Sequence, residues 1–134
     1  MGKAAICLLV AGLGSGIANA DPGNQFDLIC DGTTKTVRGE HPHHMRIAVD
    51  LDAKLFCYVN DDCNRVVPIK SFTDYQIDFL SSKDAEMEIA FSVNRIDGTY
   101  SYLIDGLQPD MAGLILSNGI CQAAAFSGLP KKKF

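Results

Sequence analysis

Large apolar residues alternate with polar or small ones along much of the chain. The clearest case runs from Met45 to Asp52, where every second residue is Met, Ile, Val or Leu, and residues 87–94 repeat the pattern. Successive side chains of a strand point to opposite faces, so this period of two predicts half-buried strands. Residues 82–91 have helix-forming composition, but their apolar spacing is two, which also favours a strand.

Turn signals separate these segments. Asp97-Gly98 is the strongest hairpin signal, and Asp52-Ala53 predicts another turn. We predict a strand at Phe26–Cys30, a separate partner strand at Thr33–Arg38, and a loop at residues 39–44.

Two later positions refine the strand prediction. Pro68 cannot donate a main-chain hydrogen bond, so its segment is expected at a sheet edge or a bulge. The last strand is expected to break at Asn118-Gly119. Together the pattern predicts an all-β fold, a small antiparallel β-barrel or sandwich of seven to nine short strands.

The first twenty residues have the pattern of a secretory signal peptide. Lys3 precedes an apolar run of about ten residues, and Ala18-Asn19-Ala20 forms a small-x-small cleavage site. The run is shorter than the ~20 residues that span a bilayer; an uncleaved anchor is the alternative. We predict a signal peptide at 1–20, one β-domain at 21–130 and a basic tail at 131–134. The mature protein is then periplasmic or secreted, with no transmembrane segment.

Four cysteines remain after signal cleavage, an even number that favours disulfides in an exported protein. Four cysteines allow three pairings. Cys57 and Cys63 flank a short polar loop, so we pair them, which leaves Cys30 to pair with Cys121. No CxxC pair is present, so a thiolate metal site is disfavoured.

The formal net charge is −4 at pH 7, and no basic patch is present. This composition argues against nucleic acid as the partner.

All three histidines fall within four residues, next to a carboxylate. Imidazoles are common ligands of zinc, copper and nickel, so Glu40, His41, His43 and His44 are candidate metal ligands. A metal site needs ligands that converge, which adjacent loop residues rarely achieve. The alternative is a solvated polar loop, and we predict no cofactor.

The sequence contains no clear catalytic constellation. Asp50 and Asp52 lie on one face of a predicted strand, roughly 7 Å apart, a spacing compatible with glycoside hydrolysis. Surface charge is the simpler interpretation, because no aromatic platform accompanies them. No Gly-x-Ser-x-Gly motif occurs in the mature chain. We therefore predict a non-enzymatic protein, with a cell-wall glycoside hydrolase as an alternative.

Tyrosines next to the Asp97-Gly98 turn provide a candidate contact surface. Tyr100 and Tyr102 alternate with small polar residues, and tyrosines at a hairpin end often bind a protein or a saccharide. Asp97, Gly98, Tyr100 and Tyr102 are therefore candidate partner-binding residues. Cross-strand packing of the tyrosines is the alternative.

The layout of Phe26–Gly32 and Leu114–Cys121, an early strand cysteine and a late one, resembles that of the small periplasmic β-barrel inhibitors of c-type lysozyme. Ile96-Asp97-Gly98-Thr99-Tyr100 is similar to the loop that enters the lysozyme cleft in that family. The chain departs from the family in its longer cysteine separation, its extra cysteine pair and the lack of a serine before the glycine. The C-terminal segment from Cys121 resembles that of small exported alphaproteobacterial proteins of uncharacterised function. The resemblance to the lysozyme inhibitors implies an inhibitor that acts through residues 97–102.

The sequence therefore predicts an exported, non-enzymatic binding domain whose partner, a protein or a saccharide, is unknown. Lysozyme inhibition, metal binding by the histidine segment and glycoside hydrolysis are the alternatives.

Overall fold

The computed structural model describes residues 23–107 and 113–131; the predicted signal peptide and most of the basic tail lie outside them. The described residues form nine strands: β1 Gln25–Thr36, β2 Gly39–Asp50, β3 Leu55–Tyr58, β4 Val66–Pro68, β5 Ser71–Phe72, β6 Gln76–Lys83, β7 Met87–Asn94, β8 Thr99–Gly106 and β9 Leu114–Ala124.

All nine strands belong to one antiparallel sheet with the order β4-β3-β2-β1-β9-β8-β7-β6-β5. The sheet curls into a half-barrel. It consists of two meanders, an N-terminal half (β1–β4) and a C-terminal half (β5–β9), that meet where β1 pairs with β9. The predicted all-β class, strand number and antiparallel pairing are confirmed.

The two outermost strands, β4 and β5, are joined by only two residues, so the ends of the sheet must approach each other. The Ile69 N–H donates to the Lys54 carbonyl before β3, and the Lys70 N–H donates to the Phe79 carbonyl in β6. These two bonds tie the N-terminal half to the C-terminal half. We call this end of the half-barrel, which also carries the β2–β3 and β7–β8 turns, the closed end.

The core fills the inner face of the curled sheet near the closed end. The predicted apolar face of β2 is buried: Ile47 and Val49 are fully enclosed, and Met45 and Leu51 nearly so. Aromatic rings bridge the two halves, since Phe56 of β3 packs edge-on against Phe79 of β6 at 4.9 Å between ring centroids. Burial of this kind is worth roughly 1.5–3 kcal/mol for each large apolar side chain.

Both predicted disulfides are present. Cys30 is bonded to Cys121 across the β1–β9 pair, and Cys57 is bonded to Cys63 around the short 3₁₀ turn at Val59–Asp61. Pro68 lies in the edge strand β4, as its missing N–H predicts, and residues 82–91 contain no helix.

Three boundary predictions are wrong, for one physical reason. Thr33–Arg38 is not a separate strand, because β1 continues through Thr36. Residues 39–44 are not a loop but the first half of β2, paired with β1. The last strand does not break at Asn118-Gly119, because β9 is continuous. Each segment is ordered by pairing with a neighbouring strand of the sheet, which outweighs its weak local preference.

The C-terminal segment after β9 crosses the outer face of the N-terminal half and is held there by a buried carboxylate. Asp27 of β1 is fully buried. One of its oxygens accepts hydrogen bonds from the main-chain N–H and the hydroxyl of Ser127, both at 3.0 Å. The other accepts one from Nε of Arg46 at 2.7 Å. Asp27 is thus a structural anchor.

Candidate functional site

Strands β2 and β6 each pair with a neighbour on only one side, over the part of the strand that lies away from the closed end. β3 pairs with β2 only at Ile47–Asp50, and β5 pairs with β6 only at Ile77 and Asp78. Within the described chain, residues 39–45 of β2 and 80–83 of β6 therefore have a free edge. We call these two edges, with the inner face between them, the open side.

The candidate metal ligands lie on β2 but do not converge. Because side chains alternate along the strand, His41 and His43 face inward, while Glu40 and His44 face outward. Glu40 lies 3.4 Å from the Lys35 ammonium, and His44 contacts the carboxylate of Asp31. No group of three His, Cys, Asp or Glu side chains that could hold a metal ion occurs among the described residues.

The structure joins two candidate sites that the sequence suggested separately. The hydroxyl of Tyr100 in β8 lies 2.7 Å from Nδ1 of His43 in β2. The tyrosine reaches across β9 and β1 at positions 119 and 32, which are both glycine and face each other in the pairing register. A Cβ at Gly32 would clash with the Asn118 carbonyl and lie 2.7 Å from the Tyr100 hydroxyl oxygen. The two glycines therefore make room for this contact.

Burial governs the electrostatics of the Tyr100–His43 pair. Tyr100 is 3% exposed, and this burial, followed by the negative charge of Asp31, raises its pKa. Partial burial of His43, followed by the charges of His44 and His41, lowers the pKa of His43 below its ordinary value of 6.5. At neutral pH the imidazole is neutral, and it satisfies a hydroxyl that would otherwise be buried without a partner.

Two further polar pairs lie on the inner face beside Tyr100. The hydroxyls of Thr34 in β1 and Ser117 in β9 are 2.7 Å apart and buried. The hydroxyls of Tyr58 in β3 and Tyr102 in β8 are 3.4 Å apart, so they meet across the interior. Burial, then the contact with Tyr102, raises the pKa of Tyr58 far above its ordinary value. These pairs form a polar layer above the aromatic core.

The four candidate partner-binding residues do not share one exposed surface. Asp97 is exposed in the β7–β8 turn, where its carboxylate accepts hydrogen bonds from the N–H and hydroxyl of Thr99. Tyr100 is buried and Tyr102 is half-buried, so both pack across the sheet. The buried Tyr100 side chain thus fits the alternative interpretation, cross-strand packing. Asp97 and Gly98 stay candidate contact residues at the closed end.

Asp50 and Asp52 stabilise the turn between β2 and β3. Asp50 accepts hydrogen bonds from the Ala53 N–H at 2.9 Å and from the Gln25 amide at 3.0 Å. The main-chain bond from Ala53, followed by the bond from Gln25, lowers the pKa of Asp50. Asp52 accepts from the Asn24 side chain at 2.8 Å. Because β2 ends at Asp50, Asp52 does not share a strand face with it as predicted. Both carboxylates are bound to residues at the start of the described chain, and Asp50 also to the turn.

An apolar groove of about 370 Å³ runs beside the free edge of β6. The sequence alone did not indicate this groove. Buried Ile69 and Phe79 form part of its lining, and Leu80 and Ile89 are half-buried beside them. Lys70 also lines the groove. The sequence signal for it was indirect: Leu80 and Ile89 are apolar, but only the topology shows that no strand among residues 23–107 and 113–131 covers the adjacent edge.

A second cavity of about 300 Å³ opens at the closed end, where β9 diverges from the β7–β8 turn. Its walls include Leu28, Ile77 and Val93, and Asp74 and Arg95 also line it. The Arg95 guanidinium is already bound, since it donates to the Thr73 carbonyl at 2.7 Å.

No protein-family model, curated protein or solved structure matches the chain. Over the described ranges, no helix has the length and apolar character required to cross a membrane.

Proposed function

We propose that the protein is an exported, non-enzymatic binding domain that receives its partner at the open side of the half-barrel. The observation that carries this proposal is the pair of free edges, 39–45 of β2 and 80–83 of β6, which flank an inner face with a polar layer and an apolar groove. A completed barrel would have no such edges.

Other features support export and binding rather than catalysis. The signal-like sequence at 1–20 and two disulfides fit an oxidising compartment. The four cysteines of the described chain are all oxidised, so none is a nucleophile. The candidate groups His43, Asp50 and Asp52 are bound to structural partners.

Site-specific photocrosslinking in the cells that make the protein tests the proposal. A benzophenone amino acid at Ser82, exposed on the open side, should give covalent adducts with a partner. The matched position on the outer face of β8, Ser101, is also exposed and should give none. Equal yields at the two positions, or adducts at neither, would contradict an open-side partner.

Photocrosslinking of the purified protein tests the lysozyme-inhibitor hypothesis, in which the contact lies at the opposite end of the molecule. Ile96, 72% exposed in the β7–β8 turn beside Asp97, marks that contact. Adducts confined to a probe at Ile96, with c-type lysozyme added to the purified protein, would favour that hypothesis over the open side.

A further inference from the structure

We infer that the free edge of β6 binds an extended peptide segment of a partner protein, which adds a strand beside Leu80–Lys83, places an apolar side chain in the groove and sets an acidic side chain near Lys70. This inference rests on the proposed function and specifies the partner's chemistry.

The main chain of β6 is available for pairing with an added strand at Ser81. The Phe79 carbonyl faces away from β7, since it accepts a hydrogen bond from Lys70. A β-bulge shifts the pairing register next to Phe79, so the direction of Ser81 follows from the regular pairing beyond it. The Asp84 N–H donates to the Met87 carbonyl of β7, and because main-chain groups alternate sides along the strand, Ser81, three residues earlier, faces away from β7. No strand lies beside Ser81 on that side in the described chain. Its N–H and C=O are therefore available to an added strand.

The free edge of β2 offers fewer main-chain donors to an added strand. The N–H of Arg46 faces away from β1, because it donates to the Asn60 side chain at 2.7 Å. By the same alternation Pro42 faces that way too, and proline has no N–H to offer. A proline at an edge is a common protection against unwanted strand pairing. β6 has no proline between Gln76 and Lys83, so its edge lacks this protection.

The groove beside β6 determines which peptide fits. Ile69, Phe79, Leu80 and Ile89 present apolar surface at the point where an added strand would project every second side chain. Alternating apolar residues in the peptide would fill it. Main-chain bonds then provide affinity and the groove provides selectivity.

Charge favours a partner peptide over a second copy of this protein. Lys70 is exposed and has no salt bridge within the described residues, whereas Lys83 lies 4.0 Å from Glu88. Two copies pairing through β6 about an axis near Ser81 would set each Lys83 opposite Phe79, whose carbonyl binds Lys70. Lys83 of one copy would then lie beside Lys70 of the other, and this like-charge contact is unfavourable. An acidic residue in a peptide would complement Lys70.

The test uses the purified, disulfide-bonded protein and a phage-displayed library of random octapeptides. Enriched peptides should alternate apolar residues and contain Asp or Glu. Their affinity, measured by fluorescence anisotropy, should fall at least tenfold in Ser81→Pro, which removes the outward N–H without removing a bond to β7. The matched control Ser81→Ala keeps the N–H and should bind within twofold of wild type.

Charge reversal tests the role of Lys70. Lys70→Glu should weaken binding several-fold, and a peptide in which Lys replaces the acidic residue should regain affinity for this variant.

Hydrogen exchange provides a readout that does not depend on the folding of the proline variant. In the wild-type protein the amide of Ser81 should become protected when the selected peptide binds. Unchanged affinity in Ser81→Pro together with an unprotected Ser81 amide, or no enriched sequence, would overturn the inference. So would a dimer that Ser81→Pro dissociates. Peptides that instead protect residues 39–45 would overturn strand addition at β6 and leave the open-side function standing.

Discussion

The N-terminal and C-terminal halves of the sheet have similar strands but are restrained differently. The N-terminal half contains the Cys57–Cys63 disulfide, the buried Asp27 anchor and the overlying C-terminal segment, and its free edge carries Pro42. The C-terminal half has no disulfide between its own strands, and the edge of β6 carries no proline. The difference suggests a rigid half that supports a half left available for pairing.

The largest expected effect comes from breaking the covalent link between the halves. Replacing Cys30 and Cys121 by Ala opens a closure of 91 residues, and we expect a loss of about 3–5 kcal/mol in the free energy of unfolding. The control variant with Cys57 and Cys63 replaced by Ala opens a closure of 6 residues and should lose only about 2 kcal/mol. Denaturant unfolding measures both losses. Equal losses would show that the Cys30–Cys121 disulfide does not hold the two halves together.

A smaller effect is expected from removing the anchor of the N-terminal half. Asp27→Ala removes three hydrogen bonds and leaves Arg46 without its carboxylate. Because Arg46 is partly exposed and can be rehydrated, we expect a loss of about 2–3 kcal/mol. Hydrogen exchange should increase at residues 125–131 before it increases in β6–β8. The control Glu86→Ala, at an exposed carboxylate, should lie within about 0.5 kcal/mol of wild type. Uniform destabilisation of both halves would contradict a local anchor.

The smallest effect concerns the polar contact that spans the two halves. Tyr100→Phe removes the hydroxyl that binds His43 and should cost about 1 kcal/mol at pH 7.5. Since the folded pKa of His43 is lowered, the unfolded state binds the proton more readily than the folded state. The stability contributed by the neutral imidazole is then complete above about pH 6.5 and is lost as the pH falls from there through the folded pKa.

Denaturant midpoints measured between pH 7.5 and 5 test this pH dependence. His43→Gln should flatten the slope, and His41→Gln should retain it. A slope unchanged in His43→Gln would assign it to another group.

The sequence predicted those parts of the fold that depend on local pattern. Alternation located the buried face of β2, the short loop between Cys57 and Cys63 indicated their pairing, and Asp97-Gly98 marked a turn. It did not predict that residues 39–44 form a strand, because His, Pro and Glu have no strand pattern of their own and are ordered only by pairing with β1. The contact of Tyr100 with His43 was likewise hidden, since it depends on Gly32 and Gly119 in two other strands. The free edge of β6 depends on how far β5 extends, which is a property of the whole sheet.

The pairing of β1 with β9 has a consequence for how the protein is made. β1 is the earliest described strand of the chain to leave the ribosome, and β9 is the latest. The β1–β2 hairpin can form once Asp50 has emerged, but its other edge remains exposed until β9, Leu114–Ala124, follows. Contacts so distant along the chain form slowly. During synthesis, the unpaired edge of β1 is therefore exposed to pairing with the wrong strand.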